Sequence, residues 1–298
     1  MSEVLNNWLL EQDRIRRREK EPITSVSVSS IPKGTERGPG KEQVNDDVVF
    51  ADSENNVYAV CDGVGTNEAG KAVENALKQD LLALQKREEP QNKEEWGKYL
   101  CQALLHAGDT LRASGSSEGT TVVLAKLIKE GGRNFAVIVH VGDSRAYKYN
   151  PNKKRKLECL TLDDRIRFSS EVGRKKIKKV QDSEDNEPYI SEGNKTANLM
   201  LVNDFDKSTN EKDISVSFVE LEDGAELILT SDGINDNLTT KEMEEVLGCN
   251  DAEDPAERLI RKAKVMSQYR LPYNGKRRDF VARAKSDDMS VIVIKLIK

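Results

Sequence analysis

Apolar residues recur along this chain with two distinct periods. Ala69, Val73, Ala76, Leu77, Leu81 and Leu84 fall at helical spacing, and so do Trp96, Leu100, Ala103, Leu104, Ala107 and Leu111. Two amphipathic helices are predicted there, the second ended by Gly115 and the serines around it. From Val26 onward, other apolar residues come in short runs that suit strands. Val48-Val49-Phe50 and Val57 to Cys61 form one pair, with Asn55-Asn56 where a turn would fall. Thr120 to Ile128, Phe135 to Val141 and Ala146 to Tyr149 follow, and Gly131-Gly132 joins the first two. Alternation is weak through Val122, Leu124 and Lys126, which predicts a strand buried on both faces. Later strands are expected at Ile214 to Glu220, Glu226 to Leu229 and Met289 to Leu296. A helix is expected after Leu238, capped by Thr239 or Thr240 with Glu242 in its first turn, and another over Ala256 to Met266. No internal repeat interrupts this order.

Three segments stand outside the pattern. Residues 1–25 carry Trp8-Leu9-Leu10 and then a basic run from Arg14 to Lys20, and read as an N-terminal arm or amphipathic helix. Pro32, Gly34, Gly38, Pro39 and Gly40 mark a loop. Residues 151–210 have poor apolar periodicity. They hold basic runs at Lys153 to Lys156 and Arg174 to Lys179, then an acidic run from Asp182 to Glu187. A long irregular stretch inside a domain reads as a functional insertion or a mobile segment.

Composition narrows the classes. Charged residues are 33% of the 298, above the roughly 25% of an average globular chain, so a well-solvated surface is expected. The sequence lacks an apolar run of about 18 residues and the basic-then-apolar order of a secretory signal, so no membrane partner is expected. A net charge of -5 argues against general nucleic-acid binding. Cys61, Cys101, Cys159 and Cys249 are far apart, which excludes a C-x-x-C zinc module and fits a reduced, cytoplasmic protein. Oligomeric state is not legible.

The candidate chemistry lies in acidic residues at the ends of expected strands. They are Asp46-Asp47, Asp62-Gly63, Asp143, Asp232-Gly233 and Asp287-Asp288. Clustered carboxylates repel and raise each other's pKa. A hard divalent cation removes that cost and prefers oxygen ligands, so the set points to Mg²⁺ or Mn²⁺. A glycine beside an Asp lets a carbonyl or water approach the ion closely. His106 and His140 fall in a helix and a strand and read as packed or surface residues.

Seven short segments occur in one order. They are Asn45-Asp46-Asp47, Val60 to Gly65, Gly119 to Val123, Val141 to Arg145, Leu160 to Asp163, Leu229 to Asp236 and Asp287 to Val291. In this set the chain resembles the metal-dependent Ser/Thr protein phosphatases, the PPM or type 2C family, from about Val26 to the C-terminus. The resemblance implies an α+β fold: a four-layer α-β-β-α sandwich of two mainly antiparallel sheets covered by helices. It implies a phosphatase domain over 26–298 with a flap-like insertion at about 165–210. It also implies two Mg²⁺ or Mn²⁺ ions and a looser third. Asp62 would bridge two metals, with the Gly63 carbonyl on one. Asp232 and Asp287 would complete one site, and Asp46 would serve the other, directly or through water. Asp47 would orient the bridging water, and Asp143 with Asp232 would match the third site. Hydrolysis of phosphoserine and phosphothreonine on a phosphoprotein by a metal-activated water is the implied reaction. No Cys-x5-Arg phosphate loop competes with it, since each cysteine is followed by the wrong residues.

The chain departs from the family at several positions. The family's phosphate-binding arginine is Glu42 here, with Lys41 beside it, so Arg37 or Lys41 is the candidate phosphate contact, although Lys lacks the bidentate fork of Arg. Val64 stands where some relatives carry a general-acid His. Thr66 replaces a usual Gly, and Asp288 replaces a usual Asn and adds charge near the metals. Glu42 keeps a second reading open, a weakly active or inactive scaffold that binds a phosphoprotein partner. A third, a phosphohydrolase of small metabolites, leaves the Gly142-Asp143-Ser144-Arg145 match unexplained.

Overall fold

A computed structural model describes residues 24–31, 45–64, 66–84, 88–114, 119–163, 201–202, 214–249, 252–268 and 287–296. In chain order the first elements are β1 (Thr24–Ile31), β2 (Val48–Asp52), β3 (Val57–Cys61), β4 (Gly63–Val64), α1 (Glu68–Leu84) and α2 (Lys93–Ser114). Next come β5 (Gly119–Thr120), β6 (Val122–Glu130), β7 (Arg133–Val141), β8 (Arg145–Tyr149), β9 (Leu157–Cys159) and β10 (Leu201–Val202). The last are β11 (Ser215–Leu221), β12 (Glu226–Thr230), α3 (Asp232–Asn235), α4 (Thr240–Leu247), α5 (Pro255–Met266) and β13 (Met289–Leu296).

The strands form two five-stranded antiparallel sheets. One has the order β11-β7-β6-β3-β2 and the other β1-β13-β12-β8-β9. Period-2 alternation assigns one side of each strand to a helix layer and the other to the opposite sheet. Val73, Leu77, Leu100 and Leu104 of α1 and α2 pack on Phe50, Leu124, Val137 and Val139. Met243, Leu259 and Ile260 of α4 and α5 pack on Ile228, Val291 and Val293. Between the sheets lie Tyr58, Val60, Val123, Ile138, Leu227, Leu229, Ile292 and Ile294. The layers are therefore α-β-β-α, as the resemblance implies. Double-sided burial accounts for the weak alternation of β6, where all residues from Val122 to Ile128 are buried. Lys126 enters this strand because its Nζ donates to the Asn55 carbonyl at 2.6 Å and lies 4.5 Å from the centre of the Trp96 ring.

Local signals explain the boundaries. Gly131 and Gly132 both have positive φ, 58° and 79°, which a two-residue hairpin turn between right-twisted strands requires. Thr239 caps α4 through a reciprocal capping box with Glu242. Asp254 caps α5, with Pro255 at its first turn.

Five features differ from the sequence expectations. The expected strand from Thr120 to Ile128 is broken at Thr121, which separates β5 from β6. The stretch expected to be irregular over 151–210 contains β9, three residues paired with β8 and too short to carry a period. It also contains β10, which pairs with β5 in a small sheet ordered β10-β5-β4. The four-residue helix α3 was not expected, because Ser231-Asp232-Gly233 reads as a turn. Of the expected N-terminal arm over 1–25, Thr24 and Ser25 instead open β1, paired with β13, while the rest of the arm, the Pro32–Gly40 loop and most of the flap-like insertion lie outside the described residues. No described helix is long and apolar enough to cross a membrane.

Candidate active site

Strand register brings the acidic motifs to one end of the sandwich. Val48 pairs with Cys61, so Asp46-Asp47 before β2 lie beside Asp62 after β3. Thr230 pairs with Val291 on one side and Arg145 on the other, so Asp232, Asp287-Asp288 and Asp143 meet at the corresponding end of the second sheet. The two sheets are tied there by the Asp46 N–H, which donates to Asp288 Oδ2 at 2.8 Å. Asp288 therefore holds one sheet to the other. The sequence expectation of a carboxylate that simply adds charge near metal misses this contact.

Backbone packing around the two Asp-Gly pairs is tight. A Cβ on Gly63 would lie 2.3 Å from the Asp46 carbonyl oxygen and 2.4 Å from that of Thr66. A Cβ on Gly233 would lie 1.9 Å from the Asp288 carbonyl oxygen. Glycine is needed at both places so that chains from different elements can close on each other. Asn237 then fastens the Gly233 carbonyl with a 2.8 Å hydrogen bond.

Asp47 sits deepest. It is buried, and neither carboxylate oxygen makes a hydrogen bond of sound distance and angle. Burial pushes its pKa up to about 7. The nearby Ser290 and Ser231 hydroxyls pull it down, and the Asp288 and Asp232 carboxylates push it up further. Burial also raises the neighbouring Cys61 thiol, helped by the charges of Asp47, Glu74 and Asp62. Cys61 is thus an inert core thiol.

Hydroxyls and an amide, to which the sequence assigned no role, hold the acidic loops. Ser290 N–H donates to Ser231 Oγ at 2.9 Å and Ser231 N–H to the Ser290 carbonyl at 3.0 Å. The Asn235 amide donates to the Asp143 carbonyl at 3.1 Å and accepts from the Thr230 hydroxyl. Arg145 grips Asp163 with two bonds, 2.9 and 2.7 Å, which pins the segment that leaves β9 to the start of β8. Each of these residues lies in a matched segment. Their chemistry was visible in the sequence, but their partners were not.

The donor set suits a hard divalent ion, being carboxylates and close-packed carbonyls. The buried Asp47 carboxylate, lacking a sound hydrogen bond, is a group that such an ion could satisfy through water. Even so, among the described residues no three His, Cys, Asp or Glu side chains are close enough together to hold a metal ion as they stand. The candidate phosphate contacts Arg37 and Lys41 lie outside the described residues. Val64 is 41% exposed at the rim beside Asp62-Gly63.

No protein-family model and no curated protein sequence matches this chain. Solved structures do. Serine/threonine phosphatase Stp1 from Staphylococcus aureus superposes with a TM-score of 0.63 at 18% identity, over 94% of this chain and 97% of that one. The PPM Ser-Thr phosphatase MsPP from Mycobacterium smegmatis gives 0.58 at 18% identity, over 93% and 99%. The catalytic domain of the serine/threonine phosphatase PstP, solved in complex with two manganese ions, gives 0.59 at 18% identity, over 92% and 99%. At this identity the likeness speaks for architecture, and it extends over nearly the whole of each chain. The protein has the α+β sandwich fold of the PPM-type Ser/Thr phosphatases.

Proposed function

We propose that this protein is a Mg²⁺- or Mn²⁺-dependent phosphatase of phosphoserine and phosphothreonine on proteins. The observation that carries the reading is that the segments bearing Asp46, Asp47, Asp62, Asp232, Asp287 and Asp288, drawn from both sheets, lie at the same end of a phosphatase-type sandwich. Asp62, with the Gly63 carbonyl, Asp46, Asp232 and Asp287 would hold two ions, and Asp143 with Asp232 a looser third. Two bound divalent ions supply the Lewis acidity and the water activation that an in-line displacement at phosphorus needs. Asp47 would orient the bridging water, its carboxylate kept ionised by the neighbouring cations. Arg37 or Lys41 would contact the substrate phosphate, and in that case Lys41→Ala or Arg37→Ala raises KM for a phosphopeptide more than it lowers kcat.

The inactive-scaffold reading draws on Glu42 and on the absence, among the described residues, of a closed chelating cluster. Turnover of p-nitrophenyl phosphate and then of a phosphothreonine peptide, with Mn²⁺ and with excess EDTA, separates the two. Mn²⁺-dependent turnover of both is expected. Activity that survives EDTA overturns the two-metal reading, and no turnover with Mn²⁺ favours the scaffold.

A further inference from the structure

The gap between β5 and β6 is a single residue, Thr121, which is 3% exposed. Its backbone and side chain both grip the Asp62 peptide. Thr121 N–H donates to the Asp62 carbonyl at 2.9 Å, and Asp62 N–H donates back to Thr121 Oγ1 at 3.3 Å. The neighbouring Thr120 hydroxyl adds a 3.0 Å bond to the same carbonyl. The other side of Thr121 faces the loop between β7 and β8. There its Oγ1 lies 2.6 Å from Ser144 Oγ, and Ser144 is fully buried. Gly142 lets this loop come so near. Its φ is 106°, and a Cβ there would lie 2.6 Å from the Thr121 Cβ and Cγ2.

We infer that Thr121 is a positioning residue that fixes Asp62, on one sheet, relative to Asp143, on the loop that enters the other. This rests on the metal-dependent reading above. A threonine side chain is stiff at χ1, so once its methyl is set against Gly142 the hydroxyl has one place to go. The hydroxyl can accept from Asp62 N–H and still share a proton with Ser144. Both residues are buried, so water does not compete for the pair. Beyond Ser144 the chain of contacts continues through the Asp143 carbonyl to Asn235 of α3, which carries Asp232 at its start. Three acidic loops are thereby referred to one hydroxyl.

Titration calorimetry with Mn²⁺ on the full chain tests this. Thr121→Val keeps the shape and deletes the hydroxyl, so Mn²⁺ affinity should fall about tenfold, while Thr121→Ser should restore it to within about threefold of wild type. Ser144→Ala removes the other half of the pair and should give a similar loss should Thr121→Val fold poorly. The double variant should be no worse than either single one, as expected of residues in one network. A merely structural threonine would lower the melting temperature in EDTA and leave Mn²⁺ affinity alone. Wild-type affinity in both single variants overturns the inference and leaves the proposed function standing. A wild-type protein that binds no Mn²⁺ overturns both.

Discussion

Asp62 and Asp232 are followed by glycines and stand where the two sheets meet. Asp62→Asn and Asp232→Asn keep the shape of each side chain and remove the charge that would balance cations. Each should cut turnover of p-nitrophenyl phosphate at least tenfold, about 1.4 kcal/mol of barrier, with the circular dichroism spectrum unchanged. A variant that keeps more than a tenth of the wild-type rate is not a core ligand. Asp47 predicts the opposite effect on stability. In metal-free protein its carboxyl keeps a proton up to about pH 7 when folded but loses it near pH 4 when unfolded. Such a raised pKa costs stability as pH climbs through that window, because the native state binds the proton more tightly. Asp47→Asn should therefore raise the melting temperature in EDTA by a few degrees at pH 8, consistent with about 1–3 kcal/mol for a buried unsatisfied group. The gain should shrink toward pH 4. An unchanged melting temperature at pH 8 would show that Ser231 and Ser290 already satisfy the carboxylate.

Among the elements, α3 and α4 follow each other and respond differently to substitution. Helix α3 is one turn held by Gly233 against the Asp288 backbone, a contact that cannot yield to a side chain. Gly233→Ala should push α3 from the start of β13 and cost about 1–3 kcal/mol or more by overpacking. It should also abolish any Mn²⁺-induced rise in melting temperature. Helix α4 has a local, exchangeable anchor in its capping box. Thr239→Ala should cost about 1 kcal/mol in urea denaturation. The Mn²⁺ response should persist, because the cap touches none of the acidic loops. The sequence foretold α4 and not α3 for the same reason. A capping box is read within four residues, whereas a one-turn helix depends on the distant chain it lies against, at Asp288 and the start of β13.

For the whole molecule, the layer between the sheets decides whether the acidic motifs meet at all. Leu227, Leu229, Ile292 and Ile294 are at most 1% exposed and face Tyr58, Val123 and Ile138 across the sandwich. Leu229→Ala should cost about 2–5 kcal/mol. At about 2–4 °C per kcal/mol for a chain of this size, the melting temperature should fall by roughly 4–20 °C. Thermal melts in EDTA measure this directly. A loss under about 1 kcal/mol would mean that the layer can collapse around the gap.

Strand and helix positions were legible in the chain because each rests on periodicity and short-range turn chemistry. Met289 to Leu296, for instance, reads as a strand from its own residues and forms β13 with those bounds. Order of the motifs was legible too, and with it the resemblance that implied four layers. Contacts between residues far apart in sequence were not. Asp288 on the Asp46 amide spans 242 positions, Asn235 on the Asp143 carbonyl spans 92, and Thr121 on the Asp62 amide spans 59. A hydroxyl or carboxylate carries no mark in the sequence of which distant backbone group it will satisfy. That choice is made when two sheets pack and most buried polar groups must find a partner. The sequence by itself determined which residues could do oxygen-ligand chemistry and on which strand ends they stand. The tertiary structure decided which of them face one another, which are buried, and which neutral neighbours hold the rest in place.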